Sequence, residues 1–240
     1  MSSVAHASGK TPRFAILASG RGSNAEALMQ AFTSGFIPAE LALVLSDKPE
    51  ALVINKARQR GWPTECIPRG QRPREAHERD LLERLAAARV DHVLLAGYMR
   101  LLSPYFLAQF PGQILNIHPA LLPDFPGLHA VRRQWQAGRK VVGATVHCVD
   151  TGVDSGTIVL QGSLLARGDE SAQELAHRIL HEVEQFIYPR PVRLFVERLQ
   201  HTETLAEPHS VSAAVQKNTP AAIPCRSEEH HVDSGDESLR

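Results

Sequence analysis

The sequence predicts an α/β domain built on a mostly parallel sheet. Three observations lead there. Aliphatic and β-branched runs alternate with amphipathic helical stretches through the first half of the chain, and a glycine-rich turn joins the first run to the first helix. Two late strand-like runs then follow one another with no helical stretch between them. Such alternation builds βαβ units with right-handed crossovers. The helix-free connection implies an antiparallel pair at the far edge.

Taken in order, residues 1–12 are small and polar and read as a disordered lead. Residues 14–18 form the first strand, and Ser19-Gly20-Arg21-Gly22-Ser23-Asn24 is the turn that opens a helix from about 25 to 32, stopped by Gly35. Unpaired N–H groups and the positive end of the helix dipole converge at such a junction, which makes Gly22, Ser23 and Asn24 a candidate phosphate cradle. The plain alternative is a tight turn that needs glycine only for its geometry. A second strand at 41–46 precedes a helix from about 50 to 60, and 64–67 is a short third strand. The arginine-rich segment from Arg69 to Arg74 reads as mostly solvated. It leads into a helix over 74–89 with Leu81, Leu82, Leu85 and Ala86 on its apolar stripe. A fourth strand at 91–96 runs through Gly97-Tyr98-Met99-Arg100-Leu101-Leu102 to Ser103-Pro104, an N-cap with proline at the first helical position.

The fifth strand, 114–118, is closed by Pro119, which cannot extend a ladder. Asn116 and His118 sit two apart, so they project from one face at its carboxyl end while Leu115 and Ile117 face the other way. Ligands of open α/β sheets bind beyond those ends. A loop with Pro123 and Pro126 leads to a short helix at 129–137. Strands at 141–149 and 157–165 are joined by the turn from Asp150 to Gly156, which can bring Asp154 over the same crevice. Any one of these residues alone is ordinary: a satisfied histidine, a capping amide, a turn aspartate. A helical segment over 172–199 should end or kink at Tyr188-Pro189, with Glu184 one turn earlier. Residues 201–240 contain no aromatic side chain and read as a disordered polar, acidic tail.

Lys+Arg and Asp+Glu each number 26, so no global field favours nucleic acid or an anionic membrane, and a small-molecule substrate is expected. No apolar run reaches the length of a bilayer span and the first residues lack a secretory core, which predicts a cytoplasmic protein. Cys66, Cys148 and Cys225 are too few and too widely spaced for a disulfide framework or a zinc site. His230-His231 is not read as a metal site either, and no metal is expected.

With these motifs in view, residues 13–199 resemble the folate-dependent formyltransferases. The resemblance rests on ASGRGSN at 18–24, LLAGYMRLLSP at 94–104, ILNIHPALLPDFPGLHA at 114–130, GATVHCVDTGVDSGTIVLQ at 143–161 and Tyr188-Pro189. It implies a Rossmann-like mixed, mostly parallel sheet with helices on both faces and one catalytic domain over 13–200. It also implies transfer of the formyl group of 10-formyltetrahydrofolate to a primary amine. The GSN at 22–24 points to the branch acting on glycinamide ribonucleotide (GAR) in purine synthesis. The family's catalytic trio falls on Asn116, His118 and Asp154. Gly22, Ser23 and Asn24 match its phosphate loop, and Glu184 the acid that meets the amine. The folate contacts fall on Arg74, Met99, Arg100, Leu101, Leu102, Asn116, Val149, Asp150 and Asp154. Both substrates are small molecules, and the expected assembly is a monomer or homodimer.

Two other readings stand beside this one. Gly20-Arg21-Gly22-Ser23-Asn24-Ala25 fits the G-x-G-x-x-A form of a dinucleotide fingerprint, with Asp47 placed to grip a ribose, as in an NAD-dependent oxidoreductase or a nucleotide sensor. A sibling formyltransferase with another amine acceptor is the second, although such enzymes usually carry an added domain that about 40 polar residues cannot build.

Overall fold

The structure, a computed structural model, describes residues 11–205. The expected lead and tail, with His230-His231 and Cys225, lie outside these residues except for 11–12 and 201–205.

One seven-stranded sheet runs in the order β3-β2-β1-β4-β5-β6-β7. Its strands are β1 (Arg13–Leu17), β2 (Glu40–Ser46), β3 (Thr64–Cys66), β4 (His92–Leu95), β5 (Ile114–His118), β6 (Val141–Cys148) and β7 (Ile158–Leu165). β1 to β5 pair in parallel, β6 runs antiparallel to β5, and β7 antiparallel to β6. The mixed, mostly parallel architecture is the one the alternation predicts.

Period-two alternation sorts each central strand between two cores. Phe14 and Ile16 of β1 face one with Val44 and Leu94, against α1 (Ser23–Thr33) and α2 (Leu52–Gln59). Ala15 and Leu17 face the other with Leu43, Leu45 and Val93, against α3 (Arg74–Ala87) and α4 (Pro104–Gln109). With both faces covered, the strands read as nearly continuous apolar runs. Ala86, expected on the buried stripe of α3, is exposed. The inward line instead runs His77, Leu81, Leu85, with Glu78 beside it, because side chains four apart stack on one face and Ala86 lies about 100° further round.

After α5 (Ala130–Gln136) and the β6–β7 hairpin, the chain forms α6 (Ala172–Arg178), a widened π-helical turn (Ile179–Glu184), α7 (Gln185–Ile187) and α8 (Pro189–Leu205). The irregularity thus falls upstream of the expected break at Pro189. Proline has no N–H and its ring crowds the carbonyl four residues earlier. Here it opens α8, where the missing donor costs least. Tyr188, fully buried, keeps its own N–H bonded to the Glu184 carbonyl at 3.0 Å. Its hydroxyl reaches the carbonyl oxygens of Leu95 and Leu115, 3.0 Å from each, and so pins the C-terminal helices to β4 and β5.

α8 then runs toward the opposite, N-terminal rim of the sheet, where Phe195 packs edge-on against His92 with ring centres 4.7 Å apart. Nε2 of Gln200 donates to the Pro38 carbonyl at 3.2 Å, and the Glu40 N–H donates to the Pro12 carbonyl at 3.0 Å. Both ends of the described chain therefore meet the residues that lead into β2.

Candidate active site

Strand order reverses at β1, with β2 on one side and β4 on the other, and this switch point opens the crevice in which α/β proteins bind ligands. The loops around it are tied to one another. The carboxylate of Asp47, buried just after β2, accepts from Ser19 Oγ at 2.5 Å and from Arg100 Nε at 2.5 Å, and Ser19 Oγ accepts from the Met99 N–H at 2.9 Å. Asp47 is therefore engaged by Ser19 and Arg100, which weakens the reading that has it grip a ribose.

α1 starts at Ser23, two residues earlier than periodicity suggests, so Ser23 and Asn24 lie in its first turn. Gly22 is its N-cap, in the left-handed region at φ 73°, and no side chain caps the helix. Glycine is required twice over here: a Cβ would also sit 2.6 Å from two side-chain carbons of Val53. Nδ2 of Asn24 donates to the Glu184 carboxylate, and both residues are buried. Burial raises the pKa of Glu184, with the Asn24 hydrogen bond and the nearby His181 acting the other way. Oδ1 of Asn24 is buried with no hydrogen-bond partner among the described residues. Gly22, Ser23, Asn24 and Glu184 thus form one group at a helix N-terminus.

Beside it lies a cleft of about 540 Å³. Its walls include Arg74, Met99, Arg100, Leu101, Leu102, Asn116, His118, Val149, Asp150 and Asp154, so the structure brings every expected folate position together with the expected catalytic trio. Arg74 is held by the buried carboxylate of Glu78 and by the Leu101 carbonyl. The Gly22 group does not line this cleft.

The trio meets at the ends of β5 and the β6–β7 loop. His118 Nδ1 is 3.1 Å from Asp154 Oδ2, and Asn116 Nδ2 is 3.5 Å from Asp154 Oδ1. Asp154 also accepts from the Gly127 N–H at 2.8 Å and holds a left-handed backbone, φ 53°, that non-glycine residues seldom adopt. Burial would raise its pKa, but the neighbouring His147 side chain, the hydrogen bond from the Gly127 N–H and the charge of His118 hold it below the usual carboxylate value. The other ring nitrogen of His118, Nε2, lies 2.9 Å from the Phe125 carbonyl. Burial lowers the His118 pKa, and the Phe125 carbonyl and Asp154 work against that fall.

His147 is a further member that sequence reasoning missed. In the antiparallel register of β5 and β6 it stands directly opposite Asn116, and cross-strand partners share a face. Its Nδ1 lies 2.8 Å from the Cys148 carbonyl and therefore donates, which leaves Nε2 to accept from Asn116 Nδ2 at 3.2 Å. Among the described residues no three His, Cys, Asp or Glu side chains converge as metal ligands would. No described helix is long and apolar enough to cross a membrane.

A family profile described as formyl transferase matches residues 12–192. The chain is 38% identical over 182 residues to phosphoribosylglycinamide formyltransferase of Bacillus subtilis, a match covering 75% of this chain and 93% of that one. It is 41% identical over 187 residues to the trifunctional purine biosynthetic protein adenosine-3 of Drosophila melanogaster, covering 77% of this chain but only 14% of the insect protein. Among solved structures, glycinamide ribonucleotide transformylase 1 of Symbiobacterium toebii superposes with a TM-score of 0.75 at 44% identity, over 78% of this chain and 89% of that one.

Proposed function

Because the chain belongs to the formyl transferase family, we propose that it transfers the formyl group of 10-formyltetrahydrofolate to the primary amine of glycinamide ribonucleotide, the phosphoribosylglycinamide formyltransferase reaction of purine biosynthesis. The observation that carries this reading is the convergence of Asn116, His118 and Asp154 on the wall of one cleft. An oxidoreductase reading leaves those three side chains without work.

In this reaction the amine nitrogen attacks the formyl carbon, the bond from that carbon to folate N10 breaks, and one proton moves from the attacking nitrogen to the leaving one. The intermediate carries a negative oxygen. Asn116 has two N–H groups on Nδ2. One is directed at His147 and Asp154, and the other is left to stabilise the oxyanion. His118 reaches the same oxygen when its Nε2 exchanges the Phe125 carbonyl for it, while Asp154 holds Nδ1 and favours the charged ring. Asp154 is also the group placed to relay the proton. The α1 N-terminus takes the phosphate of the ribonucleotide. Glu184 meets its amine side, and the cleft from Arg74 to Val149 takes the folate.

The test mixes the protein with 10-formyltetrahydrofolate and the ribonucleotide and follows folate deformylation, with the amine omitted as control. Deformylation that requires the ribonucleotide supports the proposal. Deformylation that is absent, or that ignores the amine, overturns it.

A further inference from the structure

The π-helical turn and the residue after it deliver two consecutive side chains onto two consecutive residues of the α1 N-terminus. Glu184 accepts from the Asn24 side chain. Gln185, which the reaction above leaves unused, donates from Nε2 to the main-chain carbonyl of Ser23 at 3.2 Å. The other end of the Gln185 amide is held as well. Its Oε1 is 3.0 Å from Nδ1 of His181, and because an amide oxygen only accepts, His181 donates there. The amide is therefore fixed with its NH₂ toward the loop.

The Ser23 carbonyl and the Asn24 N–H belong to one planar peptide unit and point in opposite directions. A donor that grips the carbonyl thus sets the direction of that N–H and, by polarising the unit, strengthens it as a donor. In the first turn of a helix this N–H is among those available to an anion. We propose that Gln185 is a positioning residue for the phosphate of the amine substrate, aiming the Asn24 N–H by holding the Ser23 carbonyl. This rests on the phosphate-loop reading given above.

The experiment compares the parent with Gln185→Ala and Gln185→His. It measures equilibrium binding of ribose 5-phosphate, steady-state kinetics with both substrates, and thermal stability. In Gln185→Ala the affinity for ribose 5-phosphate falls and the KM for the ribonucleotide rises by about three- to tenfold, the scale of one neutral hydrogen bond. The KM for formylfolate and kcat stay within about twofold by the same reasoning. Histidine, whose ring N–H can reach the same carbonyl, recovers part of the loss. Unchanged phosphate affinity and KM in the alanine variant overturn the proposal. So does a loss shared equally by both substrates and accompanied by a lower Tm. If the parent binds ribose 5-phosphate but formylates no GAR, the substrate assignment fails, and the binding comparison still decides the role of Gln185.

Discussion

At the scale of single residues, the cleft is organised by Asp154, which receives the Gly127 N–H and faces His118, His147 and Asn116. Asp154→Asn keeps the shape but removes the charge that favours a protonated His118 and the base that relays the proton. kcat should fall by about 10²–10⁴-fold with the fold intact, as judged by circular dichroism; a variant as fast as the parent would remove Asp154 from the mechanism. His147 acts through Asn116, since its Nε2 takes one amide hydrogen and so orients the other. His147→Leu should therefore lower kcat by about tenfold, the scale of one to one and a half kilocalories of hydrogen bonding, with little change in either KM. The pair Asn116 and His118 was legible in the sequence because period two and Pro119 place both on one face at a strand end. His147 was not, because its place depends on which strand β6 pairs with and in what register, and neither is written locally in residues 141–148.

At the scale of elements, the junction of β1 and α1 is the most constrained turn near the site. Gly22→Ala combines a left-handed backbone with a Cβ placed 2.6 Å from Val53 carbons. It should cost about 2–4 kcal/mol in denaturant unfolding and also weaken ribonucleotide binding, since the α1 N-terminus must shift to relieve the clash. An unfolding midpoint equal to that of the parent would show that the turn is looser than described. The alternation of strands and helices was readable because buried parallel strands and amphipathic helices have different periods. The π-helical turn was not. Proline announced that the last helix must adjust near Pro189, but the adjustment sits at Ile179–Glu184, where Glu184 and Gln185 dock on α1. Long-range docking of that kind leaves no local signature.

At the scale of the whole molecule, burial sets how stability depends on pH. His77 is buried with Nε2 on the Ile67 carbonyl, and desolvation lowers its pKa, as it does that of His118. Both are thus held below the ordinary value of 6.5 in the folded state. As pH falls below 6.5 the unfolded chain binds protons that the folded chain does not, so their contribution is complete above 6.5 and is lost toward their folded pKa values. Glu184, raised by burial, works in the opposite sense: its contribution is complete below 4.5 and is lost as pH rises through its folded pKa. His77→Gln keeps a donor for the Ile67 carbonyl and removes one titration. Chemical unfolding between pH 7 and 5 should show a shallower loss of stability in this variant than in the parent, and equal slopes would contradict it. The mixed, mostly parallel sheet was legible in outline from the alternation of strands and helices and the helix-free last connection, whereas helices on both faces came only with the family resemblance. The contact of Pro12 and Gln200 with residues 38–40 was not, because proximity of sequence-distant segments is a property of the closed fold.

That contact bears on how the polypeptide can be rewired. Pro12 and Gln200 both touch the lead-in to β2, on the rim of the sheet away from the reactive cleft. In a chain trimmed to residues 12–200 a short peptide could join these two ends, and new ends could be opened at an exposed turn such as Gly138 without uncoupling Asn116 from Asp154. The order in which the genetic message spells the strands is in that sense separable from the chemistry, which depends only on the cage they close into.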